Sequence, residues 1–171
     1  MVLQEGKQSN YDIDLFQSII EKIESLSDVK YGTSEETDIA LRVISDHVRA
    51  IAFAIADGQI PSNNGAGYVI RRILRRALKY AYQNLELKQP FLGELISVLI
   101  AEMGDTYPEL KNQEKIICKV IKEEETSFFR TLEQGIKRIE QLITDVKSKG
   151  ETTIEGTDVF ELYDTYGFPL D

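Results

Sequence analysis

The 171-residue sequence has no tryptophan, one histidine, one cysteine and four prolines. A single cysteine, Cys118, excludes an internal disulfide and a cysteine-rich zinc site. It follows Ile116 and Ile117 in a helical pattern and reads as a reduced, packed thiol, so a reducing, cytoplasmic compartment is expected. No apolar run approaches the ~20 residues needed to span a bilayer. The start MVLQEGKQSNYD has no apolar signal core. His47 has no second histidine or nearby cysteine at ligand spacing, and reads as a hydrogen-bonded structural histidine. There is no nucleophile–base pair and no phosphate loop of the GxxxxGK[ST] type. Gly65-Ala66-Gly67-Tyr68 has only two glycines and no strand ahead of it, so it is not a dinucleotide fingerprint. Positive charge is also scarce: the formal net charge is -9, which argues against wholesale binding to nucleic acid while allowing a local basic face.

What is present is helical periodicity. Leu15, Phe16, Ile19, Ile20, Ile23 and Leu26 recur at three- and four-residue spacing, behind Asp12 or Asp14 as a cap. A polar loop from Ser27 to Glu36 precedes a second helix, from about Thr37 to Ala56, with Ile39, Val43, Ile44, Val48, Ile51, Ala52 and Ile55 inward. Phe91 to Gly104 reads as another buried helix, and about Glu109 to Lys149 as a long one. The apolar stripe of that long helix is wider than a coiled-coil seam, which favours packing over dimerisation. Its Glu123-Glu124-Glu125 run reads as a solvated face able to pair with arginines. A short helix is expected from Thr157 to Tyr166, ahead of a Gly167-Phe168-Pro169 turn. The fold class is all-α: a single helical domain of about six helices, including one long helix in its C-terminal half.

The stretch from Ala56 to Tyr82 stands apart. Asp57-Gly58, Pro61, Ser62, Asn63, Asn64, Gly65 and Gly67 crowd turn-forming residues into one loop. From Tyr68 the pattern turns helical. At about 100° per residue, Arg71, Arg72, Arg75, Arg76 and Lys79 fall within an arc of about 140°, opposite Val69, Ile70, Ile73, Leu74, Ala77, Leu78 and Ala81, with Tyr68 and Tyr82 pointing out among the cations. Pro61 to Leu85 contains five positive side chains and no acidic one. Surface helices usually alternate the two signs. A polyanion would find here a cationic stripe, an Asn/Gly loop and the N–H groups of a helix N-terminus.

IADGQIPSNNGAGYVIRRILRRALKYA resembles the central signature of alanyl-tRNA synthetases, which typically reads IADG-x-xPSN-x-x-x-GYV-x-RRI-x-RRA. SNYDIDLF (Ser9 to Phe16), RVISDHVRA (Arg42 to Ala50), KEEETSFFRTLEQG (Lys122 to Gly135) and LYDTYGFPLD (Leu162 to Asp171) also resemble family patterns. Together they cover the chain nearly end to end. Two positions depart: Asn64 stands where the family often has an acidic residue, and Ala66 where it often has an arginine.

The resemblance implies that residues 1–11 close an upstream aminoacylation domain and that 12–171 form a helical tRNA-recognition domain. The implied partner is the acceptor stem of alanine tRNA, marked by a G·U wobble pair, with no membrane or DNA partner. In an A-form minor groove guanine offers its amino donor and the pyrimidine its O2 acceptor. Asn63 is then the donor to O2 and Asp164 the acceptor for the amino group. Arg75 and Arg76 hold flanking phosphates, with Arg72 and Lys79 beside them, setting position rather than sequence preference. No catalytic residue, cofactor or metal is implied within this chain. ATP with magnesium, and zinc, belong to the full-length ligase, whose adjoining aminoacylation and editing domains lie on the same polypeptide. Two other readings use the same residues: a protein-interaction module built on the long helix and the acidic run, and a membrane-surface module using the arginine helix. The second is weakened because that helix lacks Trp or Phe anchors and needs its apolar face for the core.

Overall fold

The computed structural model describes Gly6, residues 9–148, Gly150 and residues 152–164. Among the described residues there are six α-helices and no strand: α1 (Asp14–Ser27), α2 (Glu35–Ala56), α3 (Gly65–Asn84), α4 (Leu92–Met103), α5 (Pro108–Ser148) and α6 (Gly156–Asp164). They fall into two compact units, Met1–Glu125 and Thr126–Asp171. Among the described residues no helix is long and apolar enough to cross a membrane.

The caps set where the first helices begin. Ser9 accepts from Tyr11 N at 3.2 Å, and its own N–H donates to Asp12 Oδ2, which closes a 3-10 turn over Asn10–Asp12. Neither Asp12 nor Asp14 caps α1: Ile13 holds that position without a side-chain bond, and Asp14 lies inside the first turn. The aspartates fit the helix N-terminus electrostatically, but the serine supplies the box. Ser34 caps α2, accepting from Thr37 N at 3.2 Å, so the helix starts two residues before the threonine expected to open it. Its buried face is Ala40, Leu41, Ile44, Val48, Ile51 and Ile55, while Ile39 is exposed. Of the expected stripe, Ile44, Val48, Ile51, Ala52 and Ile55 are buried and Val43 is half-buried, with Ala40 and Leu41 rather than Ile39 completing the inward face.

In the first unit, α2 and α3 share the most extensive packing, α1 lies against α2 and α4, and α2 also meets α4. Ile19, Ile23, Ile51, Leu74, Leu78 and Leu95 are fully buried there. Each such side chain contributes roughly 1.5–3 kcal/mol relative to exposure. The start of α5 adds Leu110, Ile117 and Ile121. Cys118 is half-buried, its Sγ 3.9 Å from the Gly93 carbonyl oxygen, and burial pushes the thiol up, as expected for a packed, unreactive cysteine. In the second unit Phe128, Leu142 and Leu162 are buried, and Arg138 pairs with Asp158 at 3.2 Å and Glu161 at 3.4 Å on α6.

The acidic run differs from a solvated face. Glu123 is exposed, Glu124 is partly covered, and Glu125 is buried to 1% exposure. Glu125 Oε1 accepts the backbone N–H groups of Phe91 and Leu92, each at 2.9 Å. It thereby satisfies the start of α4, which has no side-chain cap of its own. Burial pushes this carboxyl up to about 7, against the pull of the two N–H bonds.

Candidate nucleic-acid interface

The loop before α3 is held by its own backbone. Ser62 N donates to the Gly67 carbonyl at 3.1 Å, and Ser62 Oγ donates to the Asn64 carbonyl at 2.8 Å. Tyr68 N reaches back to the Asn64 carbonyl at 3.2 Å, so the helix opens at Gly65, three residues before the tyrosine from which it was expected. Gly65 has a φ of 57°, which favours glycine. At Gly67 a Cβ would collide with the Ile60 carbonyl oxygen and the Ser62 side chain. The tight approach of loop to helix therefore needs the glycine at 67. No acidic residue occupies the first turn of α3, and Asn64 caps it without a side-chain bond.

Along α3 the apolar face buries Leu74, Ala77, Leu78 and Ala81. The expected apolar arc is not uniformly covered: Val69 is 54% exposed, while Ile70 and Ile73 are half-buried; Tyr68, 48% exposed, points out as expected. On the polar side the cations are sorted. Arg72 and Arg76 are exposed, whereas Arg71, Arg75 and Lys79 are half-buried. Arg72 lies 5.9 Å from the Tyr68 ring centroid, and Arg76 5.9 Å from that of Tyr80, within cation–π range.

Arg71 is tied to α5: its Nε donates to Glu124 Oε2 at 2.9 Å. Its Nη1 donates to Asn63 Oδ1. Glu124 of the acidic run thus pairs with the arginine helix. The Arg75 guanidinium is held below its ordinary value by burial and by the charge of Arg71, with Glu124 opposing. His47 of α2 is half-buried with Nδ1 3.5 Å from Asp46 Oδ2; burial lowers its pKa, Asp46 opposes, and Arg76 adds to the lowering.

Of the residues expected at the site, Asn63, Arg72, Arg75, Arg76 and Lys79 belong to one loop and one helix. Asn63 is exposed and joined to that helix by Arg71. Asp164 closes α6, and its side chain lies outside the described residues, as does the rest of its motif from 165 to 171. Residues 1–5 of the expected upstream remnant also lie outside them. The residue the sequence did not single out is Glu124. Its only signal was membership of an acidic run, which does not say which member faces α3.

Comparison with known proteins places this arrangement. The chain is 58% identical over 171 residues to the alanine–tRNA ligase of Bacteroides fragilis, covering 100% of this chain and 20% of that protein. It is 56% identical over 165 residues to the alanine–tRNA ligase of Cytophaga hutchinsonii, covering 96% of this chain and 19% of that protein. For the alanine–tRNA ligase of Porphyromonas gingivalis the identity is 55% over 171 residues. The chain thus spans about a fifth of the length of these curated relatives. Since residues 1–171 also match the family described as tRNA synthetases class II (A) from end to end, the chain belongs to that family.

Proposed function

We propose that this chain is the tRNA-binding segment of an alanine–tRNA ligase, which recognises the acceptor-stem G·U wobble pair of alanine tRNA from the minor groove. The rest of the polypeptide then attaches alanine using ATP. The observation that carries the reading is the polar face of α3. In a chain of net charge -9 it presents Arg72 and Arg76 to solvent with no acid between Pro61 and Leu85, and the exposed Asn63 is bonded to the same helix.

Phosphate contacts from Arg72, Arg76, Arg75 and Lys79 position the stem and supply most of the affinity. Base readout falls to Asn63 and Asp164, an amide donor to the pyrimidine O2 and a carboxylate acceptor for the guanine amino group. ATP with magnesium, and zinc, act in the parts of the polypeptide outside this chain, with no step of theirs on these residues.

The test uses the full-length protein and acceptor-stem duplexes carrying either G·U or G·C. Asn63→Ala and Asp164→Ala should each lower discrimination between the two by about 1–3 kcal/mol. Alanine-dependent ATP–pyrophosphate exchange should be unaffected. Equal losses on both duplexes, or none, would remove base readout from these two residues.

A further inference from the structure

We infer that Arg71 is a positioning residue for base readout rather than a phosphate anchor: it fixes the Asn63 amide with its NH2 end available, and Glu124 fixes Arg71. The inference rests on the reading of Asn63 as the donor to the wobble pair.

A side-chain amide can present either its two N–H donors or its carbonyl acceptor, and the two faces differ by a half-turn of one bond. A pyrimidine O2 is an acceptor, so only one orientation can read it. An exposed asparagine with no neighbour would exchange between the two. Asn63 has a neighbour. The Arg71 guanidinium carries donors and no acceptor, so it bonds the amide through Oδ1. A half-turn would set NH2 against guanidinium and lose a charge-assisted bond. The end that remains for a ligand is the donor end.

The guanidinium is itself held. Its Nε donates to Glu124 Oε2 at 2.9 Å, with the two side chains 24% and 18% exposed. A planar fork can serve two acceptors from fixed directions, which a lysine ammonium cannot do in the same geometry. Glu124 also balances the charge of Arg71, so this arginine adds little to the field that phosphates meet. Asn63 and Glu124 are 61 residues apart in the sequence, and Arg71 joins them because α3 lies between the loop and the start of α5.

The experiment compares G·U and G·C acceptor-stem duplexes on the full-length protein carrying Arg71→Lys, Glu124→Gln, Asn63→Ala, or Arg71→Lys with Asn63→Ala. Arg71→Lys should lose about tenfold in discrimination, the scale of one base contact. Glu124→Gln should lose less, in the same direction. Arg71→Lys should leave G·C binding and the dependence of log affinity on log salt unchanged, Glu124→Gln, which unmasks the Arg71 charge, should strengthen binding of both duplexes alike, and the double variant should be no worse than Asn63→Ala alone. Equal weakening on both duplexes with a shallower salt slope would make Arg71 a phosphate anchor and overturn the inference. Full discrimination in Arg71→Lys alongside its loss in Asn63→Ala would also overturn it, while leaving the base contact standing. Unchanged discrimination in Asn63→Ala would instead remove the reading underneath. If Arg71→Lys melts at a lower temperature than the parent, Glu124→Gln decides the same comparisons.

Discussion

Arg71, Arg72, Arg75 and Arg76 on α3, and Glu123, Glu124 and Glu125 on α5, are both runs of like charge, yet the fold uses them in opposite ways. The arginines are spaced as two pairs four residues apart and stay within an arc of about 140°, so they can form one face. Three consecutive glutamates must sweep about 200° of a helix, more than half its circumference. One of them has to turn inward once α5 is packed, and Glu125 does. Spacing rather than number decides whether a charge run is a surface. The two runs meet where Arg71 pairs with Glu124, each at the covered edge of its run.

The difference can be broken most strongly at Glu125. Glu125→Ala removes the acceptor for two backbone N–H groups at the start of α4. With a cost of about 1–3 kcal/mol for each buried donor left unpaired, the loss should reach about 2–6 kcal/mol in urea unfolding of the chain. A loss under about 1 kcal/mol would mean that the Phe91 and Leu92 amides find other acceptors, and that the inward glutamate is not a cap.

Its titration gives a second handle. The folded carboxyl sits at about 7, above an ordinary value of 4.5, so between those limits the folded chain binds more protons than the unfolded one. The stability it contributes is therefore fully present below about pH 4.5 and is lost as pH rises through about 7. The span is on the order of 3 kcal/mol. Glu125→Gln keeps an acceptor for the N–H groups and has no charge to desolvate. It should gain on the parent between pH 5 and pH 8 in parallel urea titrations; curves that stay parallel would assign the pH slope to other groups.

The arginine face is sharpened by a salt titration. Arg72→Ala and Arg76→Ala should each lower the slope of log affinity for an acceptor-stem duplex against log salt by about 0.7–0.9. An unchanged slope would return both side chains to solvation of the helix surface. The smallest effect is expected at Glu123, the solvated member of its run. Glu123→Gln should shift unfolding free energy by no more than about 0.5 kcal/mol. A larger shift would show that the outward glutamate also carries a structural contact.

The helices were legible because their signals are local. Period-3.6 apolar spacing marks α1, α2, α4 and α5, and the turn residues before α3 mark its loop. Their boundaries were less so. Ser9 and Ser34 start helical structure where aspartates or a threonine looked adequate, because a cap depends on whether one oxygen reaches one N–H. Inward faces were legible apart from their edges: Ile39 and Val69 belong to apolar stripes by spacing yet are exposed, because spacing does not say how much of a face the neighbours cover.

The sequence by itself determined that this chain is helical, that its cations gather on one face of one helix, and that its motifs run in the order of a synthetase family. Each of these depends on residue order and a fixed helical pitch. Only the tertiary structure decided which charges face water, which arginine is joined to Asn63, and that Glu125 caps a helix other than its own. Those outcomes depend on contacts between different elements, from 8 to 34 positions apart in the sequence, where desolvation and hydrogen-bond geometry act, and neither is written in the spacing of a single helix.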